Sequence, residues 1–188
     1  MYYSDAKKGP TIPNMIGIYD TTKVPGHYET DEFVFFWAGP FSNWHESKFE
    51  MNNVQFTCSE QAMMYFKAGM FKDDVTAVQV LKETDPAKMK ALGRAVKNYV
   101  EKDWVEYREL ISDEFLYCKF TQNPDLQKIL LDTHGKHIVE ASPYDAVWGI
   151  KMGVDNKDIL DPSKWKGTNL LGESLMRVRE YIMEELEN

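Results

Sequence analysis

The chain has 188 residues, 28% of them charged, and a formal net charge of −8. That length suits one domain with a proper hydrophobic core. The acidic balance argues against broad, sequence-independent binding to nucleic acid, which relies on Lys and Arg neutralising phosphates.

No run of about 18 apolar residues is present to span a membrane. The N-terminal stretch MYYSDAKKGPTIPNM lacks an apolar run followed by a small-residue cleavage site, so it does not read as a secretory signal and a cytoplasmic location is expected. Residues 1–32 read as an irregular lead-in rich in Gly, Pro, Thr and Lys, with the domain proper expected over 33–188. Two cysteines, Cys58 and Cys118, do not make a disulfide framework in a chain this long. Neither lies near another Cys or a His at ligand spacing, so no zinc site is expected.

EFVFFWAG, Glu32–Gly39, is a β-branched and aromatic run that predicts a buried strand. Lys48–Met51 and Val54–Phe56 flank Asn52-Asn53; asparagine tolerates the left-handed region, so a tight hairpin is expected. Thr57-Cys58-Ser59-Glu60 has capping-box spacing, with Thr57 as N-cap and Glu60 at the third helical position. Ala62, Met63, Phe66 and Met70 then follow at helical spacing. A second helix is expected over Asp73–Glu83, and a third starts with Asp85 as cap and Pro86 in the first helical position.

KDWVEYRELISDEFLYCKF predicts a long amphipathic helix, and NPDLQKILLDTHG another, stopped by Gly135. Ile138–Ala141 reads as a short strand, Ser142-Pro143 as a turn, and Asp145, Trp148 and Gly149 as part of a loop. A final helix runs over Asn169–Glu187, with Leu171, Leu175, Val178 and Ile182 on one face and Asn169 as a good N-cap. Between Ile150 and Asn169 there is little periodicity, and a long loop in a compact domain is often functional. The expected class is a helix-dominated α+β domain with a small β-sheet.

Several residues combine charge and aromaticity where a plain core needs neither. Glu60 opens a helix whose continuation is apolar; as a cap it would satisfy an orphan N–H, and as a free carboxylate it would be available for chemistry. Lys67 lies seven residues on and borders the buried stripe, where a lysine either snorkels to water or meets a ligand. Trp104, at a helix start, and Trp148, in a loop beside a carboxylate, suit a cleft edge where an indole can sandwich a flat heterocycle. Gly93, before Arg94, and Gly172 lie inside helices, where glycine costs about 1 kcal/mol against alanine, so something approaches closely at each. His27, His45, His134 and His137 offer no recognisable pairing with a cysteine nucleophile, and Cys118 reads as a buried small hydrophobe. Phosphate-loop, dinucleotide-fingerprint, nucleophile-elbow and zincin motifs are absent.

In order along the chain stand Phe41-Ser42-Asn43, Ser59-Glu60, Phe66-Lys67, Gly93-Arg94, Trp104, Asp145-Ala146-Val147-Trp148-Gly149, and Asn169-Leu170-Leu171-Gly172 running to Arg179. Together these resemble the YbiA-like family, also called NADAR, over roughly residues 33–185. Family members often carry His after the Ser-Glu pair; here it is Gln61, which cannot titrate.

The resemblance implies hydrolysis of an N-glycosidic bond to a phosphorylated ribose, without a metal or cofactor. The substrate would be an aminopyrimidine ribose 5-phosphate of riboflavin-pathway type. The alternatives are ADP-ribose released from guanine in nucleic acid, or a non-catalytic ADP-ribose or nucleotide-binding module. The resemblance makes Glu60 the catalytic carboxylate, Trp104 and Trp148 the stacking indoles, and Lys67 and Arg94 the phosphate ligands. Asp145 would meet ribose hydroxyls or the base. Ser42, Asn43 and Asn169 would position the substrate, with Phe41, Gln61 and Gly149 among its neighbours.

Overall fold

The computed structural model describes residues 21–188. Residues 1–20, the larger part of the expected lead-in, lie outside the described residues. Among the described residues no helix is long and apolar enough to cross a membrane. The chain packs as two compact units: a helical unit over residues 43–123, and a sheet unit formed by residues 21–42 and 124–188.

The helical unit opens with strands β1 (Phe49–Met51) and β2 (Val54–Phe56), an antiparallel hairpin with Phe49 opposite Phe56. Asn52 and Asn53 both sit at positive φ, 53° and 61°, as a hairpin turn whose twist matches the strands demands. Helices α1 (Ser59–Met70), α2 (Asp74–Lys82), α3 (Pro86–Arg94) and α4 (Glu101–Thr121) follow, and α1 packs against the other three.

The caps read from sequence hold for α2 and α3. Asp73 accepts from Thr76 N, and Asp85 accepts from Ala87 N, with Pro86 in the first position. Gly93 has the close packing its helix position suggests: a Cβ there would run into the Met64 side chain of α1. Phe56, Ala62, Met89, Phe115, Leu116 and Phe120 are among the fully buried core residues.

In the sheet unit, strands β3 (Tyr28–Glu29), β4 (Phe33–Phe36) and β5 (His137–Glu140) form a three-stranded sheet in that order. β3 pairs antiparallel to β4, so the end of the expected lead-in is an edge strand. β4 and β5 are parallel, with Phe33 opposite His137 and Phe36 opposite Glu140. All four residues of β4 are buried, which explains its unbroken apolar run.

Helices α5 (Pro124–Leu131) and α6 (Leu170–Glu187) complete the sheet unit; α6 buries Leu171, Leu175, Val178 and Ile182 as its periodicity predicts. The segment between Ile150 and Asn169 is packed rather than loose. Ile150, Met152 and Ile159 join Phe33, Phe35, Val139 and Ala141 in one core cluster, and Trp165 packs against it while donating to Ile159 O at 2.8 Å. The architecture is the expected helix-dominated α+β fold.

Candidate functional site

The start of α1 differs from the capping box read in the sequence. The N-cap is Cys58, not Thr57, and it makes no side-chain cap bond. Gln61 takes the third helical position, and its Oε1 accepts from Thr57 N at 2.9 Å and from Thr57 Oγ1 at 3.2 Å. The same amide donates through Nε2 to Val80 O and Glu83 O, each at 3.1 Å, tying α1 to the C-terminal end of α2. Gln61 thus takes the N–H of Thr57, the residue before the N-cap, so no capping box in the sense read from the sequence forms here.

Glu60 takes the second helical position. Its backbone N–H donates to Asn43 O at 2.8 Å, and its side-chain Oε2 accepts from the indole Nε1 of Trp44 at 3.2 Å. The residue is only 4% exposed. A carboxylate buried at a helix N-terminus sits in the favourable field of the helix dipole. Ser59, next to it in sequence, and Asn43, whose carbonyl takes its N–H, are also buried, and Asn43 Oδ1 and Ser59 Oγ have no hydrogen-bond partner. Unused buried acceptors and donors are rare in folded proteins and often mark a functional site.

Lys67, two turns along α1, places Nζ 4.3 Å from the centre of the Tyr99 ring and 5.5 Å from that of Trp104. Both are cation–π distances. Burial pulls the Lys67 pKa down, and Arg94 adds to that, while Glu101 and Glu60 pull it back up. The charges of Glu60, Lys67 and Arg94 thus lie within electrostatic reach in the helical unit. Trp104, in the first turn of α4, is 6% exposed and carries Lys67 on its ring. Arg94, at the last turn of α3, is exposed.

A second group of the singled-out residues gathers in the sheet unit. Asp145 Oδ1 accepts from Val147 N and Trp148 N, both at 2.9 Å, and folds the loop that presents the partly exposed Trp148. Asn169 N donates to Gly149 O, and Leu171 N to Trp148 O. Asn169 stands at the N-cap position of α6 but in the left-handed region, φ 55°, and its side chain makes no cap bond. Its amide instead serves the free edge of β5 as a strand would: Nδ2 donates to Ile138 O at 3.0 Å, and Oδ1 accepts from Glu140 N at 2.9 Å. Gly172 is where it is because a Cβ would collide with Ile138 O and the Asn169 amide. Phe41 is buried against Phe36, and Ser42 is buried beside it in sequence.

Trp44 and Tyr99 are the neighbours that sequence reasoning does not assign. Trp44 lies within the flagged segment Gly39–Trp44, but nothing in its spacing points sixteen residues ahead to Glu60. Cys118 is buried, as expected, and burial pushes its thiol up to about 12, which rules out a thiolate near neutral pH.

Within the helical unit a buried glutamate, a lysine set over two aromatic rings and an exposed arginine thus lie within electrostatic reach of one another. The family model for the NADAR domain matches residues 34–183, and the chain belongs to the NADAR family. It is 40% identical over 176 residues to Protein irg-1 of Caenorhabditis elegans, covering 84% of this chain and 83% of that protein. It is 38% identical to N-glycosidase R617 of Acanthamoeba polyphaga mimivirus, covering 81% of this chain and 97% of the relative. The maize protein "Riboflavin biosynthesis protein PYRR, chloroplastic" is 27% identical over 93% of this chain, which spans 29% of that longer protein. Among solved structures, the NMR structure of Escherichia coli YbiA is similar with a TM-score of 0.68 and 28% identity, covering 87% of this chain and 93% of YbiA.

Proposed function

We propose that the protein is an N-glycosidase that hydrolyses the C1′–N bond between a phosphorylated ribose and an exocyclic amine of a heterocycle. The observation that carries this reading is the Glu60 carboxylate, buried at the start of α1 and accepting from the Trp44 indole N–H. The relatives R617 and YbiA, both named N-glycosidases, support the class of reaction.

Cleavage sends the C1′–N electron pair to the departing nitrogen and leaves positive charge on the sugar, as in O-glycoside hydrolysis. Glu60 stabilises that charge and accepts a proton from the water whose oxygen bonds to C1′. The amine leaves with a proton, so the sum is addition of one water across the bond. Lys67 and Arg94 are the proposed phosphate ligands; Arg presents a planar fork suited to phosphate oxygens, and Lys67 a charge shielded from bulk water. The buried Oδ1 of Asn43 and Oγ of Ser59 are suited to sugar hydroxyls.

The proposed substrate is an aminopyrimidine ribose 5-phosphate of riboflavin-pathway type, a reading the maize relative supports. The formal charge of −8 further favours a small anionic substrate over a nucleic acid chain. The test is base release followed by mass spectrometry, with an aminopyrimidine ribose 5-phosphate in one reaction and ADP-ribosylated guanine DNA in another. Release from the first alone is the expected result. Release from the second alone reassigns the substrate, and binding of ADP-ribose without release from either refutes the enzyme.

A further inference from the structure

Trp44 is 48% exposed, yet its Nε1 donates to a carboxylate that is 4% exposed. Core packing does not explain an indole left half in solvent, since burial is the usual return on so large an apolar ring. Its one polar group is aimed at Glu60. Resting on the catalytic reading of that residue, we infer that Trp44 is a positioning residue that holds Glu60 in its ionised form and fixes its orientation.

The chemistry of the donor is selective. An indole N–H donates only; it has no lone pair to offer and does not titrate in the working pH range. It therefore stabilises the carboxylate more than the carboxylic acid, whose neutral carbonyl oxygen is the weaker acceptor, and that difference favours the charged form. The other ionisable groups that sense Glu60 do not share this property. On α1 itself Lys67 feels its charge, and at the N-cap position so does Cys58, whose thiol burial pushes up. From α3, Arg94 acts on Lys67, and from α4 so does Glu101. Lys119 of α4, fully buried and drawn down to about 7 by burial, acts on Cys58 and on His45, which burial and Lys119 hold down to about 4. Lys67, Cys58, Lys119 and His45 change charge as pH varies, whereas the Trp44 donor is present throughout.

The test uses two variants. Trp44→Phe keeps an aromatic ring and removes the N–H; Trp44→Gln restores an N–H donor of similar reach without the ring. The pH dependence of kcat and KM for base release is measured alongside a direct titration of Glu60, by carbon NMR of protein labelled at the glutamate carboxyl carbons, with the signal assigned by Glu60→Gln.

For Trp44→Phe the expected results are a Glu60 titration midpoint at higher pH, an acidic limb of kcat displaced the same way, and a loss in kcat of about tenfold, the usual effect of one hydrogen bond to a charged group. KM and thermal midpoint stay close to the parent's, and Trp44→Gln recovers most of the loss. An unmoved Glu60 midpoint overturns the inference, as does a Trp44→Gln variant that behaves like Trp44→Phe, because the ring would then be what matters. If the parent releases no base while the Glu60 midpoint still moves in Trp44→Phe, the glycosidase reading fails and the coupling of Trp44 to Glu60 stands.

Discussion

Replacing Gln61 by glutamate changes one atom type and almost no volume, and it inverts what the side chain offers α2. The wild-type amide gives two well-placed N–H bonds to Val80 O and Glu83 O and a longer one, 3.4 Å, to Leu81 O. The ionised carboxylate of Gln61→Glu would set a second oxygen against those carbonyls, in a position that is 2% exposed in the parent. Two lost bonds at about 1 kcal/mol each, with a buried acceptor group left unsatisfied at about 1–3 kcal/mol, give a loss of about 3–5 kcal/mol at pH 7. For a chain of this size each kcal/mol moves Tm by about 2–4 °C, so the melt falls by about 10 °C.

The pH dependence has a definite sign. Burial and the facing carbonyls disfavour the charged form, so the folded-state pKa of the introduced carboxyl lies above its unfolded value of about 4.3. The variant is then closest to the parent below that unfolded value, where the protonated carboxyl keeps one O–H donor. It loses stability as pH rises towards neutrality. Thermal melts of both proteins at pH 4 and pH 7 read this directly. A Gln61→Glu protein that melts within about 2 °C of the parent at pH 7, less than the shift expected from 1 kcal/mol, would refute the assignment of Gln61 as a structural tie.

Three further outcomes follow from the same contacts. Gly93→Ala is expected to destabilise by about 1–3 kcal/mol, an overpacking cost against Met64, and to become near neutral in a Met64→Ala background; urea unfolding of the four proteins of that cycle tests it. The Asp73 carboxyl is held below the usual range by hydrogen bonds from Lys97 N and Thr76. Its contribution is therefore present above the unfolded pKa of about 3.9 and lost as pH falls through the lower folded value, and Asp73→Asn flattens the acid limb of a stability-versus-pH curve. Lys67→Met keeps packing against Tyr99 and Trp104 but removes the cation, and raises KM for a phosphorylated substrate by about tenfold or more with a smaller change in kcat; an unchanged KM removes Lys67 from phosphate binding.

Much of the fold is legible because local chemistry leaves few choices. Asn52-Asn53 between two apolar runs allows a tight turn and little else, and Asp85-Pro86 starts a helix in only one way. The start of α1 is ambiguous in sequence because Thr57-to-Glu60 satisfies the capping spacing while the helix itself has Cys58 at the N-cap position and Gln61 accepting from Thr57 N. Asn169 reads as a helix cap from its residue type, but its side chain answers the unpaired edge of β5, a demand set by a strand about thirty residues away in the chain. The same limit hides Trp44: local pattern locates an indole, and only the folded chain shows which carboxylate it meets. Residues 150–169 show no helical periodicity because that segment packs by scattered apolar anchors, Met152, Ile159 and Trp165, rather than along one face.

The central claim is that the oxygen atoms of Glu60 meet the developing cation at C1′. Glu60→Gln keeps the shape and can still sit beside Trp44, but it cannot carry a negative charge or take a proton from water. Single-turnover base release and substrate binding, measured side by side on the parent and Glu60→Gln with an aminopyrimidine ribose 5-phosphate, separate the two roles. The account predicts that turnover falls by about a thousandfold, the scale of removing one charge-stabilising group, while affinity stays near the parent's. Full turnover in Glu60→Gln contradicts it.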